Sequence, residues 1–488
     1  MFMNMKSIYF SVLTLIICSP GFAAERPNIL LFTADDLHAE SLGSYGSKAE
    51  MTPHLDRLAA SGMVFNKAHV NAAICSPCRK IIATGLYGHN SGAYGFNIAR
   101  PGTPTIINTF QKGGYLAGLI GKVPHSTPTK DTEWDFVTKD TANGRSPKLH
   151  YKHTADFLAR CKKEKKPFYL MVNSHDPHRP YCEKGKLGHR DAEEPSRWYS
   201  PEEVEIPGFL PDIPQVRTEL AAYQNSVRRL DDTFGKVMQA LDDSGFADNT
   251  LVIFISDNGI AMPFAKANVW YHASRTPFLV RLPGVTKAGI RDDSHFVSVV
   301  DLFPTFLDLC GVKGPDKLDG HSFLPLLKGE KQAGRDSVYT QIDSLSSKNP
   351  YPMRCVQTAK FAYIHNAFSN GQTWYRNANE GKVMAAMTTL GENDPNIKAR
   401  VDLFRHRVPE EFFDLSKDPD CLNNLIDSKA HADEIKKMRT RLAEYMKSSG
   451  DPLLKALENR DDRKLIDKLV VDTYGRALSK GKKKPKKK

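Results

Sequence analysis

Cys75-Ser76-Pro77-Cys78-Arg79 puts a thiol, a proline and a guanidinium within five residues and runs straight into Lys80-Ile81-Ile82-Ala83-Thr84-Gly85. The order reads as the start of a helix that closes at Thr84-Gly85-Leu86. A side chain at a helix N-terminus faces unpaired backbone N–H groups and the positive end of the dipole, so an anion can be held there. Arg79 lies one turn after Cys75 and can reach the same anion. Taken alone, the five residues fit a buried cysteine beside a proline-started helix equally well.

Four other groups of residues offer chemistry: Asp35 with Asp36, Lys122 with His125, His175-Asp176-Pro177-His178-Arg179, and Asp257 with Asn258. Asp35, Asp36, Asp257 and Asn258 supply only oxygen donors, which suits a hard cation such as Ca²⁺ or Mg²⁺ rather than zinc. Arg79, Lys122 and Lys266 add positive charge. A metal and several cations together describe a pocket for a tetrahedral oxyanion. His125 and His178 are the candidates for proton transfer.

Each group follows a predicted strand. Asn28–Phe32, Tyr115–Ile120, Phe168–Val172 and Thr250–Ile255 are almost unbroken apolar runs, the pattern of strands buried on both faces. Helices are predicted between them, over Thr52–Leu58 with Thr52 as its N-cap and Pro53 at the first position, and over Thr105–Lys112, Thr154–Lys163 and Glu219–Leu241. Strand–helix alternation predicts an α/β fold with a mostly parallel sheet flanked by helices. Ligands of such sheets bind beyond the carboxyl ends of the strands. The four groups and the Cys75 turn therefore belong to one site. Pro180–Pro214 is a proline-rich excursion, long enough to carry function. Further strands are predicted at Thr276–Leu282 and Phe296–Val299, and a helix at Leu302–Leu309. Short alternating runs near Met353–Gln357, Phe361–His365 and Phe412-Phe413, then an amphipathic helix over His431–Met446, predict a smaller C-terminal α+β subdomain with an antiparallel sheet.

The 488 residues suit one large domain and a smaller one. Residues 1–23 read as a signal peptide: Lys6, a short apolar run from Ile8 to Cys18, and Gly21-Phe22-Ala23 before the cut. That predicts export, to the periplasm, the extracellular space or, in a eukaryote, the lysosome. No later run is long enough for a transmembrane segment. The division expected is a catalytic domain over 24–340, a subdomain over 341–455 and a basic tail over 456–488 with a disordered end. Net charge is +12, and without the seven lysines of 480–488 it falls to +5. The body is thus mildly basic, and with no stacking aromatics or reading helix beside the lysine run, a nucleic-acid partner is not expected. Cys18 leaves with the signal. With Cys75 committed to chemistry, Cys78, Cys161, Cys182, Cys310, Cys355 and Cys421 form an even set that permits disulfides without fixing their pairing.

Cys75-x-Pro77-x-Arg79 followed by Thr84-Gly85 resembles the signature of the type I, formylglycine-dependent sulfatases. Asp35-Asp36, Thr52-Pro53-His54-Leu55-Asp56, Gly121-Lys122 and Ser256-Asp257-Asn258-Gly259 occur in that family's order, and Phe413-Asp414-Leu415, Asp418-Pro419 and Asn424-Leu425 resemble its C-terminal part. Within the family, His175–Arg179, Asp257–Ile260 and Tyr351-Pro352-Met353-Arg354-x-Val356-Gln357 are most similar to the heparan N-sulfatases (sulfamidases).

The resemblance implies an alkaline-phosphatase-like fold and oxidation of Cys75 to formylglycine by a maturation enzyme. It implies calcium bound by Asp35, Asp36, Asp257, Asn258 and modified residue 75. Arg79 and Lys122 would steady the nucleophile and the sulfate, His125 would be the base, His178 the acid, and Lys266 a sulfate ligand. Two departures stand out. The family places its histidine two residues after the lysine, whereas Val123 and Pro124 separate Lys122 from His125. Lys266 stands where sulfamidases carry arginine, keeping the charge but losing the two-pronged fork.

The expected substrate is a sulfated glycan, and the expected reaction is removal of the N-sulfate of a terminal glucosamine of heparan or heparin type. Asp176, Arg179 and Arg354 are the residues expected to hold the sugar. An O-sulfatase on another sulfated polysaccharide is the alternative. A phosphodiesterase or phosphonate hydrolase of the same superfamily is a more distant one, and a glycan-binding protein that never matures Cys75 is a non-catalytic one.

Overall fold

The computed structural model describes residues 26–475 except 139–143, 188–191, 346–348 and 378–379. The predicted signal peptide and the lysine run of 480–488 lie outside the described residues.

The large domain is built on strands β1 (Asn28–Asp35), β2 (Met63–Phe65), β3 (Ala68–His69), β4 (Leu116–Ile120), β5 (Phe136–Val137), β6 (Phe168–Pro177), β7 (Thr250–Ser256), β8 (Phe278–Arg281), β9 (Ile290–Asp292) and β10 (Val297–Ser298). Eight of them form one sheet in the order β5-β4-β6-β1-β7-β8-β2-β9, and β10 pairs with β3. The pairs among β5, β4, β6, β1 and β7 are parallel. Strand β8 is antiparallel to both β7 and β2. Every residue of β1 is buried, and its side chains alternate between two cores. Leu30 and Phe32 face the long helix Pro214–Ser244, where the Phe32 ring meets Phe234 edge-on at 5.3 Å. Ile29 and Leu31 face the opposite layer, which holds the helices Cys75–Thr84 and Leu302–Cys310. That two-sided burial is why the strand reads as an unbroken apolar run.

Strands β11 (Ser337–Ser344), β12 (Pro350–Thr358), β13 (Phe361–Asn366) and β14 (Glu410–Asp414) form a separate antiparallel sheet in sequence order. Met353, Cys355, Ile364 and Phe413 join the core of the large domain. Val356, Tyr363 and Phe412, on the other face, pack on Ile435, Met438, Leu442 and Met446 of the helix Ala432–Ser449.

Several local expectations change. Thr52 does not cap the helix Pro53–Ser61 with its side chain. Asp231 does so from the long helix, its carboxylate accepting from the His54 and Leu55 amides at 3.0 and 2.9 Å. The segment read as a basic tail from 456 contains the helix Arg463–Tyr474, whose Ile466 and Val470 are buried in the C-terminal core. All seven described cysteines are free and buried.

Candidate active site

The carboxyl ends of β1, β4, β6 and β7 lie side by side because those strands are parallel neighbours. Asp35 ends β1, and Asp36 follows with φ of 72°, a left-handed turn that brings the second carboxylate back over the strand end. Asp257 and Asn258 follow β7 and are fully buried. The Asp36 amide donates to Asp257 Oδ1 at 3.1 Å, and Asn258 Nδ2 donates to Asp36 Oδ1 at 2.8 Å. Lys122, at the end of β4, pairs with Asp35, and Lys266 pairs with Asp36.

Asp35 Oδ1, Asp36 Oδ2 and Asn258 Oδ1 are buried and accept no hydrogen bond. Buried acceptors left unpaired are costly unless a cation takes their lone pairs. Three carboxylates and an amide oxygen on one strand edge form a donor set for Ca²⁺ or Mg²⁺, so the residues present fit the metal that the sequence implies. Burial alone would raise the Asp35 carboxyl, but Lys122, His178, Arg79 and Lys266 hold it well below the ordinary carboxylate range.

Cys75 is the first residue of its helix, and Ile74 before it provides no side-chain cap. The leading N–H groups of that helix have no acceptor within it, as at any helix start. Burial outweighs the nearby Lys266 and pushes the Cys75 thiol up to about 12. An unmodified thiol there stays protonated at neutral pH and is a poor nucleophile.

Arg79 lies behind the site rather than in it. Its Nε donates to Asp257 Oδ2 at 3.0 Å, another guanidinium nitrogen reaches the Ala34 carbonyl at 3.3 Å, and the rest bonds Thr33 and Asn173. Fully buried, it ties the ends of β1, β6 and β7 together. Thr33 and Asn173 were not expected in this role. The signal was their position at the ends of the predicted strands, two residues before Asp35 and His175.

Cys75, His125, His178, Arg179 and Lys266 line a cavity of about 280 Å³ with Phe96, Leu345 and Asn377. The one-turn helix Val123–Ser126 carries His125 to this cavity despite the extra spacing after Lys122. Burial, with Lys122 and Arg79 nearby, lowers the His125 imidazole to about 3, so it is neutral at pH 7. The His178 Nδ1 faces the Arg179 carbonyl at 2.5 Å, and Nε2 lies 3.8 Å from Asp36 Oδ2. Arg179 pairs with Glu219 through Nε at 3.0 Å and a second nitrogen at 2.5 Å.

Two of the three residues expected to hold a sugar are placed elsewhere. Asp176 is fully buried, accepting from Arg145 Nε at 3.1 Å and from Arg229 at 2.7 and 3.0 Å. Arg354 is buried in the C-terminal sheet between Asp343, at 2.9 Å, and Asp451, at 2.5 Å. Neither lines the cavity. Burying a charge requires a partner inside the protein, and Arg145, Arg229, Asp343 and Asp451 are too far along the chain for the local sequence to reveal them. Glu219 and Asn377 were missed for the same reason.

Comparison with known proteins places the chain among the sulfatases. Residues 27–312 match the family model described as Sulfatase, and residues 261–387 match N-sulphoglucosamine sulphohydrolase, C-terminal. The chain is 32% identical to human N-sulphoglucosamine sulphohydrolase over 91% of its own length and 95% of that protein's. It is 28% identical to an ulvan-active sulfatase of Formosa agariphila, covering 88% and 82% of the two chains. A solved structure described as a complex with its substrate D-glucosamine-2-N,6-O-disulfate superposes with a TM-score of 0.67 at 19% identity, over 88% of this chain and 99% of that one. The last likeness supports the alkaline-phosphatase-like fold. With a family model spanning most of the large domain and a relative this similar over nearly its whole length, the chain belongs to the sulfatase family, the hydrolases of sulfate esters and sulfamidates.

Proposed function

We propose that this sulfatase removes the N-sulfate of a terminal glucosamine in a heparan-type glycan, using formylglycine made from Cys75 and a bound Ca²⁺. The observation that carries this reading is the composition of the cavity wall. Leu345 and Asn377 from the C-terminal part face Cys75, His178 and Lys266. Both lie inside the segment that matches the N-sulphoglucosamine sulphohydrolase C-terminal model. That part of the pocket wall therefore comes from the segment similar to an N-sulfatase.

As its hydrate, formylglycine would supply an oxygen nucleophile and a second hydroxyl whose deprotonation releases sulfate. Asp35, Asp36, Asp257 and Asn258 would hold the Ca²⁺, which would stabilise charge on the sulfate oxygens. Lys266, at the cavity wall, and Lys122, beside Asp35, are fixed cations that offset the same charge without reorganising. To act as the acid, His178 would carry a proton on each ring nitrogen, Nδ1–H donated to the Arg179 carbonyl and Nε2–H given to the leaving nitrogen. His125, neutral at pH 7, accepts the proton that sulfate release gives up. Arg179, held by Glu219, is the remaining candidate for a sugar contact. At about 280 Å³ the pocket is at the small end of ligand sites, as expected for one sulfated ring.

The similarity to an ulvan-active sulfatase favours a second reading, an O-sulfatase on another polysaccharide. A panel of sulfated sugars on matured enzyme separates them. Turnover of glucosamine N-sulfate to free amine and sulfate supports the first reading. Efficient turnover of O-sulfated sugars alone moves the chain to the second.

A further inference from the structure

A second set of metal-ligating side chains lies beyond the site just described. One ring nitrogen each of His38 and His272 and one carboxylate oxygen of Glu40 all lie within 4.8 Å of one another. Both histidines are buried, at 5% exposure, while Glu40 reaches solvent. His38 and His272 each keep a buried Nδ1 with no hydrogen-bond partner. The other nitrogen of each faces a carboxylate: His38 Nε2 is 3.3 Å from Glu40 Oε2, and His272 Nε2 is 3.0 Å from Asp420 Oδ1. The Phe209 ring packs against both imidazoles, at 5.7 Å from His38 and 5.0 Å from His272. Arg275 is the cation in contact with the group, and it donates to the second oxygen of Glu40 at 2.8 Å.

Packing alone gives no reason for the idle Nδ1 of buried His272 to stand beside a second imidazole and a carboxylate. A metal ion does. Tetrahedral zinc with ligand bonds of about 2.0–2.1 Å places its donor atoms about 3.3 Å apart, and the His38–Glu40 separation already matches. A carboxylate on the far nitrogen, as Asp420 stands to His272, is the usual means of orienting a ligating imidazole. Two imidazoles also separate this group from the Asp35–Asp36 set, which has the single imidazole of His178 in reach.

We infer that His38, Glu40 and His272 form a binding site for a divalent transition-metal ion of the zinc class, distinct from the Ca²⁺ site of the reaction. His38 and Glu40 belong to the segment directly after Asp35-Asp36. His272 lies on the one-turn helix Tyr271–Ser274, downstream of Asp257 and Lys266. Asp420 comes from the C-terminal part. An ion here clasps the two loops that carry the reaction's metal ligands, with Asp420 bracing the clasp from the C-terminal side.

The test uses full-length matured protein held in excess Ca²⁺, so that the oxygen site is filled. Zn²⁺ is added, weakly bound ion is removed by a mild chelator, and the metal is counted by mass spectrometry. The expected result is about one zinc per chain in the wild type and less than a tenth of that in His38→Gln/His272→Gln. The Zn²⁺-induced rise in melting temperature should vanish in the same variant, and X-ray absorption should show two imidazoles and no sulfur. No retained zinc in the wild type, or equal zinc in the double variant, overturns the site. If the double variant does not fold, Glu40→Gln at the solvent edge decides. A tenfold or greater loss of Zn²⁺ affinity supports the site, and unchanged affinity refutes it.

Discussion

Truncating Arg179 tests whether the cavity holds a sugar where the structure offers one. The guanidinium lies at the cavity wall and pairs with Glu219, and their side chains are 22% and 13% exposed. Arg179→Ala removes charge-assisted hydrogen bonds to substrate, which in a partly desolvated pocket are worth roughly 2–4 kcal/mol of transition-state stabilisation, or about 30- to 900-fold in kcat/KM. The folded state also loses an ion pair and leaves Glu219 without that partner, a cost of about 1–3 kcal/mol. The two effects are separable. In Arg179→Ala/Glu219→Gln the stranded carboxylate is gone, so melting temperature should largely recover while kcat/KM stays low. The assay is kcat/KM on glucosamine N-sulfate for wild type, Arg179→Ala, Arg179→Lys and the double variant, with thermal unfolding of each. Arg179→Lys should recover part of the activity, since it keeps charge without the fork. Activity of Arg179→Ala within threefold of wild type would refute the sugar contact. So would activity that returns together with stability in the double variant, since that would make the residue purely structural.

Cys75→Ala should abolish turnover, and active wild type should carry formylglycine or its hydrate at residue 75 by mass spectrometry. An active enzyme with an unmodified thiol would contradict the proposed mechanism. Chelation should lower both activity and melting temperature, with Ca²⁺ restoring them. At a free concentration a hundred times Kd the ion contributes about 2.7 kcal/mol, readable by calorimetry, and chelated protein with unchanged melting and full activity would exclude the metal. Asp176→Ala should lose about 3–5 kcal/mol of stability in denaturant melts by stranding Arg145 and Arg229 in the interior, far more than a surface sugar contact would. Burial lowers His69 and His365 to about 3, with Arg275 acting on the first and Arg354 on the second. Between about pH 6.5 and 3 the unfolded chain binds protons that these folded imidazoles do not, so stability falls as pH falls through that window. Each contributes roughly 2 kcal/mol of loss by pH 5, and the His365→Gln variant should show a shallower acid limb in its stability profile.

Much of this protein is written in short stretches of its chain. Ile29–Phe32 and Leu251–Ile255 are apolar without interruption because their strands are covered on both faces, and a strand's end marks where the next polar residues must emerge. Asp35, Asp36, Asp257, Asn258, Lys122 and the Cys75 turn were therefore legible as one edge before any coordinates. The 3.6-residue period of His431–Met446 and the alternation of Phe361–His365 likewise announced a helix on an antiparallel sheet. These properties are local, set by hydrogen bonding and burial within a few residues.

The partners of buried charge are not local. Asp176 carries the same local signature as Asp36, a carboxylate at a strand end, yet Asp36 keeps a buried oxygen with no hydrogen-bond partner beside Asp35 and Asn258, while Asp176 is enclosed by Arg145 and Arg229. Arg79 reads as an anion ligand one turn after Cys75, yet it turns inward to tie Asp257, Thr33 and Asn173. Arg354 sits in a motif similar to N-sulfatases and spends its charge on Asp343 and Asp451, 11 and 97 residues away. Which charge meets which is decided when distant segments close on one another, because a buried ion has few low-energy alternatives to the counter-ion brought beside it. The same closure assembled His38, Glu40, His272 and Asp420 from three parts of the chain, where no spacing in the sequence could have joined them.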